Sequence, residues 1–197
     1  MTVPISIVIT TYNRERYLSA AIESILAQTK QDFELLIWDD GSIDRTVEIA
    51  QNYAKHDARV RVVIAEHQGR GLSLKLAIAQ TTGTYIGIVD SDDLLAPTTL
   101  EETVCVLEQE PAVGMVYTSY LDIDEHDRIV SYGYRCLVPY SKERLLHQFM
   151  TFHFRLMRRS VYEQVGGIDE SFEYAQDYDL CLRLSENTEV RHVDKPL

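Results

Sequence analysis

Five carboxylates fall in two short runs, Asp39-Asp40-Gly41-Ser42 and Asp90-Ser91-Asp92-Asp93, and each run directly follows a stretch of apolar residues. A third apolar stretch, Ile5 to Thr10, leads into Thr11-Tyr12-Asn13. Acids packed this closely repel one another unless a cation neutralises them. A hard divalent ion, Mn²⁺ or Mg²⁺, held by a few carboxylates and by the phosphate oxygens of a substrate, is the chemistry such a set serves. Each run also has a structural use. Asp39-Asp40-Gly41-Ser42 suits a turn, and Asp93 suits the cap of a following helix.

The elements that must carry these runs alternate along the chain. Ile5 to Thr10, Phe33 to Trp38, Val60 to Ala65 and Tyr85 to Val89 read as strands. Between and after them, Tyr17 to Gln28, Arg45 to Lys55 (capped by Asp44), Gly71 to Gln80 and Thr98 to Glu110 show helical spacing of apolar residues. Strand–helix alternation of this kind builds a mainly parallel sheet covered by helices on both faces. The strands are apolar almost throughout, as buried parallel strands are. Ligands of open parallel sheets sit beyond the carboxyl ends of the strands, which is where all three polar runs lie.

The second half is less regular. Val113 to Tyr120 is a fifth strand, 122–128 a polar turn leading to a strand at Ile129 to Tyr134, Ser141 to Met150 a helix and Thr151 to Met157 a strand. Ser160 to Val165 is a helix stopped by Gly166-Gly167, and Tyr178 to Glu186 a last helix before a strand at Val190 to Val193. The expectation is one domain over 1–197. Residues 1–110 are expected to form a nucleotide-binding half and 111–197 an acceptor-facing half that lacks a C-terminal continuation.

Composition narrows the classes. With 31 acidic against 19 basic residues, the 197-residue chain carries a formal charge of −12, which excludes nucleic acid as a natural partner and disfavours docking by charge on an anionic membrane. Cys105, Cys136 and Cys181 are odd in number and widely spaced, so they predict reduced thiols and no metal site. No stretch approaches a membrane span or a signal peptide. The predicted location is the cytoplasm, with peripheral attachment at the inner face of a membrane left open. A P-loop is absent, and Gly69-Arg70-Gly71 has Leu74 where a dinucleotide-binding fingerprint needs its third glycine.

Several segments, taken in order, carry a resemblance. They are Ser6-Ile-Val-Ile-Thr-Thr-Tyr-Asn-Arg14, Ser24-Ile-Leu-Ala-Gln28, the run from Phe33 to Asp44, Gly83 to Asp93, Val165-Gly-Gly-Ile-Asp-Glu170 and Gln176-Asp-Tyr-Asp-Leu-Cys-Leu-Arg183. Together they resemble the family 2 glycosyltransferases, and the match spans nearly the whole chain. The resemblance implies a GT-A type three-layer α/β/α sandwich with a mainly parallel central sheet. It also implies inverting transfer of a hexose-type sugar from a nucleoside diphosphate sugar, UDP-linked, to a glycan or lipid-linked acceptor.

The resemblance implies roles as well. Thr10 and Tyr12 would line the base pocket, and Asp40 would accept the imide N–H of the base. Arg70 would approach the base or diphosphate. Ser91 belongs to the donor-binding run. Asp90 would hold the ribose or the metal, Asp92 would ligate the metal, and Asp93 would replace or assist either. Asp177 would be the general base, taking the proton of the acceptor hydroxyl. The family has Glu where this chain has Gln176. That departure, with the chain ending at Leu197, supports the alternative of a catalytically silent nucleotide-sugar-binding module. A sugar nucleotidyltransferase is disfavoured, because no glycine-rich, Arg-containing run follows the first strand. Asp179 reads as a helix-start residue, His153 and Trp38 as packed residues, and His192 as an outside candidate for a metal ligand. One or two of Tyr117, Tyr120, Tyr132, Tyr134 and Tyr140 are expected to face the acceptor.

Overall fold

The computed structural model describes residues 4–172 and 174–197. Its main sheet has seven strands in the order β3-β2-β1-β4-β8-β5-β9. These are β1 (Ile5–Thr11), β2 (Phe33–Asp39), β3 (Val60–Ile64), β4 (Tyr85–Ile88), β5 (Val113–Ser119), β8 (His153–Arg158) and β9 (Glu189–Pro196). A separate hairpin pairs β6 (Leu121–Ile123) with β7 (Ile129–Tyr132). Neighbours pair in parallel except around β8, which runs antiparallel to both β4 and β5.

Alternate residues of each strand feed opposite faces, which is why the strands are apolar throughout. On one face Ile7, Ile9, Leu35 and Ile37 pack with helices α1 (Leu18–Leu26), α2 (Thr46–His56) and α4 (Thr99–Gln109), through Ile22, Ala50 and Leu100 among others. On the other face Val8, Leu36 and Ile86 pack with α3 (Arg70–Ala79), α5 (Lys142–Leu145), α6 (Arg159–Gln164) and α7 (Gln176–Asn187), through Leu74, Leu145, Tyr162 and Leu180. The result is the GT-A type α/β/α sandwich with a mainly parallel sheet. Trp38 is buried among the second set, as expected of a core residue.

At Gly87 the sheet permits no side chain. A Cβ there would lie 2.6 Å from Ile7 Cδ1 and 2.8 Å from Phe154 Cζ. The missing atom lets the strands on either side of β4 fill its surface.

Some elements differ from the sequence expectation. The helix predicted over Ser141 to Met150 is only Lys142–Leu145. Beyond it, the Leu146 and His147 N–H groups bond to carbonyls three residues back and Leu146 is exposed. A 3₁₀ turn at Tyr134–Leu137 follows β7, where a longer strand was expected. Asp44 does serve the start of α2, accepting the Thr46 N–H at 3.0 Å. Helix α4 begins at Thr99, six residues beyond Asp93, so Asp93 is not its cap.

Candidate donor and metal site

The carboxyl ends of β1, β2 and β4 and the amino end of β8 meet at one edge of the sheet, because β8 runs against its neighbours. The loops there are stitched by side chains. The Asn13 N–H donates to Ser42 Oγ (2.9 Å), and the Ile43 N–H donates to Asn13 Oδ1 (2.9 Å). Asp39 is fully buried, and its Oδ1 accepts the Gly41 and Ser42 N–H groups at 3.1 and 2.9 Å. This closes the turn that the sequence suggested as the structural use of the run. Gly41, at φ +82°, lets the turn pass the next segment, since a Cβ there would sit 2.9 Å from the His67 backbone nitrogen.

Asp40 is buried and its carboxylate accepts three hydrogen bonds from this chain. Oδ1 takes the Gln68 N–H (2.9 Å) and the Ser73 hydroxyl (2.7 Å), while Oδ2 takes the Gly69 N–H (3.0 Å) and lies 2.9 Å from His67 Nδ1, whose own hydrogen bond goes to the Asp40 backbone carbonyl (3.1 Å). An ionised carboxylate offers about four lone-pair positions, so one position on Oδ2 stays open beside His67. The residue thus ties the end of β2 to the segment that enters α3. His67 also stacks on Tyr12, with ring centroids 4.4 Å apart. Neither His67 nor Ser73 was singled out by sequence reasoning, since only the fold brings them to Asp40.

Tyr12, Asp40 and His67 form one end of a cleft of about 410 Å³ that also takes in Thr10, Arg70, Asp90, Ser91 and Asp92. All the residues expected to bind a donor therefore line one cavity. Arg70, the first residue of α3, pairs with Asp90 Oδ1 at 2.5 Å. Arg14 lies 3.7 Å from Asp92 Oδ2. A second cleft, about 420 Å³, shares Asp90 and Asp92 with the first and is walled by Asp93, Tyr120, Phe152, His153 and the β6–β7 hairpin. Tyr120 is thus the one of the named tyrosines that stands beside the carboxylates. Tyr117 is buried, and Tyr132 donates to Asp194 at 3.1 Å.

The three expected metal ligands do not converge as a set. Asp90 and Asp93 come together with His153, each offering a ligand atom within 4.8 Å of the others, whereas Asp92 leans toward Arg14. His153 Nδ1 is 3.4 Å from Asp93 Oδ2. Burial, then the charges of Asp90 and Asp92, push the Asp93 carboxyl up to about 7, with Arg70 and Arg155 opposing. Burial and then the Arg155 charge lower His153 to about 4, against the pull of Asp90 and Asp177. Negative charge is thus concentrated beyond what the local cations neutralise, and the neutral imidazole is in its ligating form. Two carboxylates and an imidazole suit a divalent transition ion such as Mn²⁺ better than Mg²⁺, which prefers oxygen alone.

Asp177, in the first turn of α7, is held by Arg155, whose Nη1 and Nη2 both lie 3.4 Å from its Oδ2. It walls neither cleft. Asp179 stands in the first turn of α7, as expected of a helix-start residue, and also pairs with Arg183 one turn on. His192 stacks on Tyr117 and bonds Ser119 at 3.0 Å, with no place in the acidic cluster.

The sequence comparison decides the kinship. The family described as Glycosyl transferase family 2 matches residues 6–166. The chain belongs to that family. Chondroitin synthase of Escherichia coli is 35% identical over 191 residues, covering 97% of this chain and 28% of that protein. The chain thus spans little more than a quarter of that relative's length. Among solved structures, S. aureus TarS 1-349 in complex with UDP superposes with a TM-score of 0.76 at 21% identity, covering 100% of this chain and 59% of that one. The mannosyltransferase PcManGT from Pyrobaculum calidifontis, in complex with GDP-Man and Mn²⁺, superposes with a TM-score of 0.74 at 19% identity, covering 100% and 55%. Both likenesses concern the fold. Among the described residues, no helix is long and apolar enough to cross a membrane.

Proposed function

We propose that this family 2 chain performs an inverting transfer of a hexose-type sugar from a UDP-linked donor, with a divalent metal, to a glycan or lipid-linked acceptor. The observation that carries the proposal is the cleft in which Thr10, Tyr12, Asp40, Arg70, Asp90, Ser91 and Asp92 stand together. In this reading the base stacks on Tyr12 and its imide N–H takes the place of His67 on Asp40. The diphosphate lies toward Arg70 and the acidic run. Asp90 and Asp93 would hold the metal with His153, and Asp92 stands beside them; when bound, the metal would supply Lewis-acid stabilisation of the departing diphosphate. The acceptor enters by the second cleft beside Tyr120. Its hydroxyl oxygen attacks the anomeric carbon from the face opposite the leaving group and gives its proton to Asp177. The bond to the diphosphate breaks, its electron pair leaves with the nucleoside diphosphate, and the configuration inverts. Chondroitin synthase, TarS with UDP and PcManGT with GDP-Man support a nucleotide-sugar reading; UDP is the narrower choice.

The position of Asp177 off both clefts favours a second reading, a nucleotide-sugar-binding module without turnover. One assay separates the two. UDP release is followed with UDP-glucose, UDP-N-acetylglucosamine and UDP-glucuronate over a panel of oligosaccharide and lipid-linked acceptors, with Mn²⁺ or with chelator. Metal-dependent transfer that falls about 10²–10⁴-fold in Asp177→Asn, with UDP affinity kept, supports the enzyme. Binding of UDP with no turnover on any acceptor supports the module. Full transfer by Asp177→Asn would remove the base assignment.

A further inference from the structure

Strand β8 is flanked by β4 and β5, and its residues alternate between the two faces: Phe154 and Leu156 join one core, Met157 the other. In that setting Arg155 is an anomaly. It is 4% exposed and lies opposite Ile88 on one side and Tyr117 on the other. A buried ionised side chain is costly, and apolar residues of similar volume commonly replace buried ion pairs with no loss of stability. Its guanidinium reaches the Thr151 carbonyl at 3.3 Å and Cys181 Sγ at 3.9 Å, and among the described residues its one ion pair is with Asp177. Both terminal nitrogens address the same oxygen, Oδ2. The other carboxylate oxygen, Oδ1, accepts the Tyr178 N–H at 2.9 Å. The two holds together fix the plane of the carboxylate at the start of α7.

We infer that Arg155 is the positioning residue for Asp177: it sets the carboxylate's orientation for taking the acceptor proton, and touches neither substrate itself. The inference rests on the base reading of Asp177. It explains why a charge interrupts the apolar run Phe154 to Met157 at the point where β8 meets the start of α7. It also distinguishes Arg155 from Arg70 and Arg14, which stand in the donor cleft. Loss of Arg155 is therefore expected to act on the transfer step more than on donor binding.

The test is a double-mutant cycle on the full chain, using the UDP-sugar and acceptor on which the wild-type chain is most active. Expected for Arg155→Met is a fall in kcat of about 10–100-fold, with UDP affinity and donor KM within about twofold of wild type. Arg155→Lys keeps the charge and should recover part of the rate. In an Asp177→Asn background the same Arg155→Met change should alter the residual rate by less than about twofold, because its target is already gone. Equal factors in both backgrounds overturn the inference while leaving the base assignment standing, as does a loss carried by donor KM instead of kcat. Full activity of Asp177→Asn, or no turnover by the wild-type chain, overturns the base reading and this inference with it. Should Arg155→Met fail to fold, the cycle runs with Arg155→Lys, whose smaller loss should likewise vanish on Asp177→Asn.

Discussion

Replacing Asp40 by Asn tests whether this residue organises the donor cleft before any donor arrives. The carboxylate satisfies the Gln68 and Gly69 N–H groups and the Ser73 hydroxyl from a buried position. An amide of the same shape keeps one acceptor oxygen and turns an NH₂ toward whichever donors that oxygen does not serve. If the amide oxygen stays with Gln68 and Ser73, the Gly69 N–H faces another donor. Leaving a backbone N–H unsatisfied costs about 1–3 kcal/mol, and the remaining bonds lose the charge assistance that roughly doubles their strength. The sum is about 3 kcal/mol. With a urea m value of about 2 kcal/mol per M, the midpoint should fall by about 1.5 M. Hydrogen exchange at the Gln68 and Gly69 amides should accelerate more than at the β1 and β2 amides. A midpoint within about 0.3 M of wild type, with both amides still protected, would refute the claim that Asp40 braces the entry to α3.

Three further outcomes follow from the geometry. Asp93 keeps its proton in the folded chain up to about 7, while in the unfolded chain it ionises near 4, so its contribution to stability is lost as pH rises from about 4 to about 7. In chelator, Asp93→Asn should therefore raise the calorimetric Tm relative to wild type at pH 8 and much less at pH 5; an equal difference at both pH values contradicts this. Because His67 stacks on Tyr12 and lies on Asp40, His67→Ala should leave UDP binding no weaker, and up to about tenfold tighter by titration calorimetry, the stacking contact being worth about 0.5–1.5 kcal/mol. A weaker Kd would instead make His67 a base contact. Gly87→Ala drives a methyl into Ile7 and Phe154 and should cost about 1–3 kcal/mol in urea unfolding, whereas Gly71, whose Cβ position meets nothing closer than 3.5 Å, supplies the comparison.

The sheet was readable because its cause is local. Apolar strands such as Ile5–Thr11 and helices with a single apolar face are written in neighbouring residues, and the loops after β1, β2 and β4 then had to share an edge. That the runs after these strands line one cleft was legible for the same reason. What escaped were pairings between distant segments. Asp40 is 33 residues from Ser73, and Arg155 is 22 from Asp177. The one local signal for Arg155 was a charge inside the apolar run Phe154-Arg155-Leu156-Met157, which a strand buried on both faces cannot hold without a partner. The extent of α5 failed because Leu146 fits a helical period yet has nothing to pack on. The convergence of Asp93, rather than Asp92, on His153 depends on the reversed direction of β8, which strand periodicity does not encode.

That reversed strand also sets a timetable for synthesis. A chain leaving the ribosome amino end first completes β3, β2, β1 and β4 early, but the partner for the open edge of β4 is not β5; it is β8, which starts about 65 residues after β4 ends (His153 against Ile88). At about 5–20 residues per second, that edge waits roughly 3–13 s with its backbone groups unpaired. Over that interval β5 emerges first and, in the finished sheet, runs parallel to β4, so it is a ready wrong neighbour. Gly87, with no side chain of its own at that edge, offers little steric resistance to such a pairing. The nascent protein is thus most exposed to misassembly after the loops that follow β1, β2 and β4 have been made and before β8 and α7 have arrived.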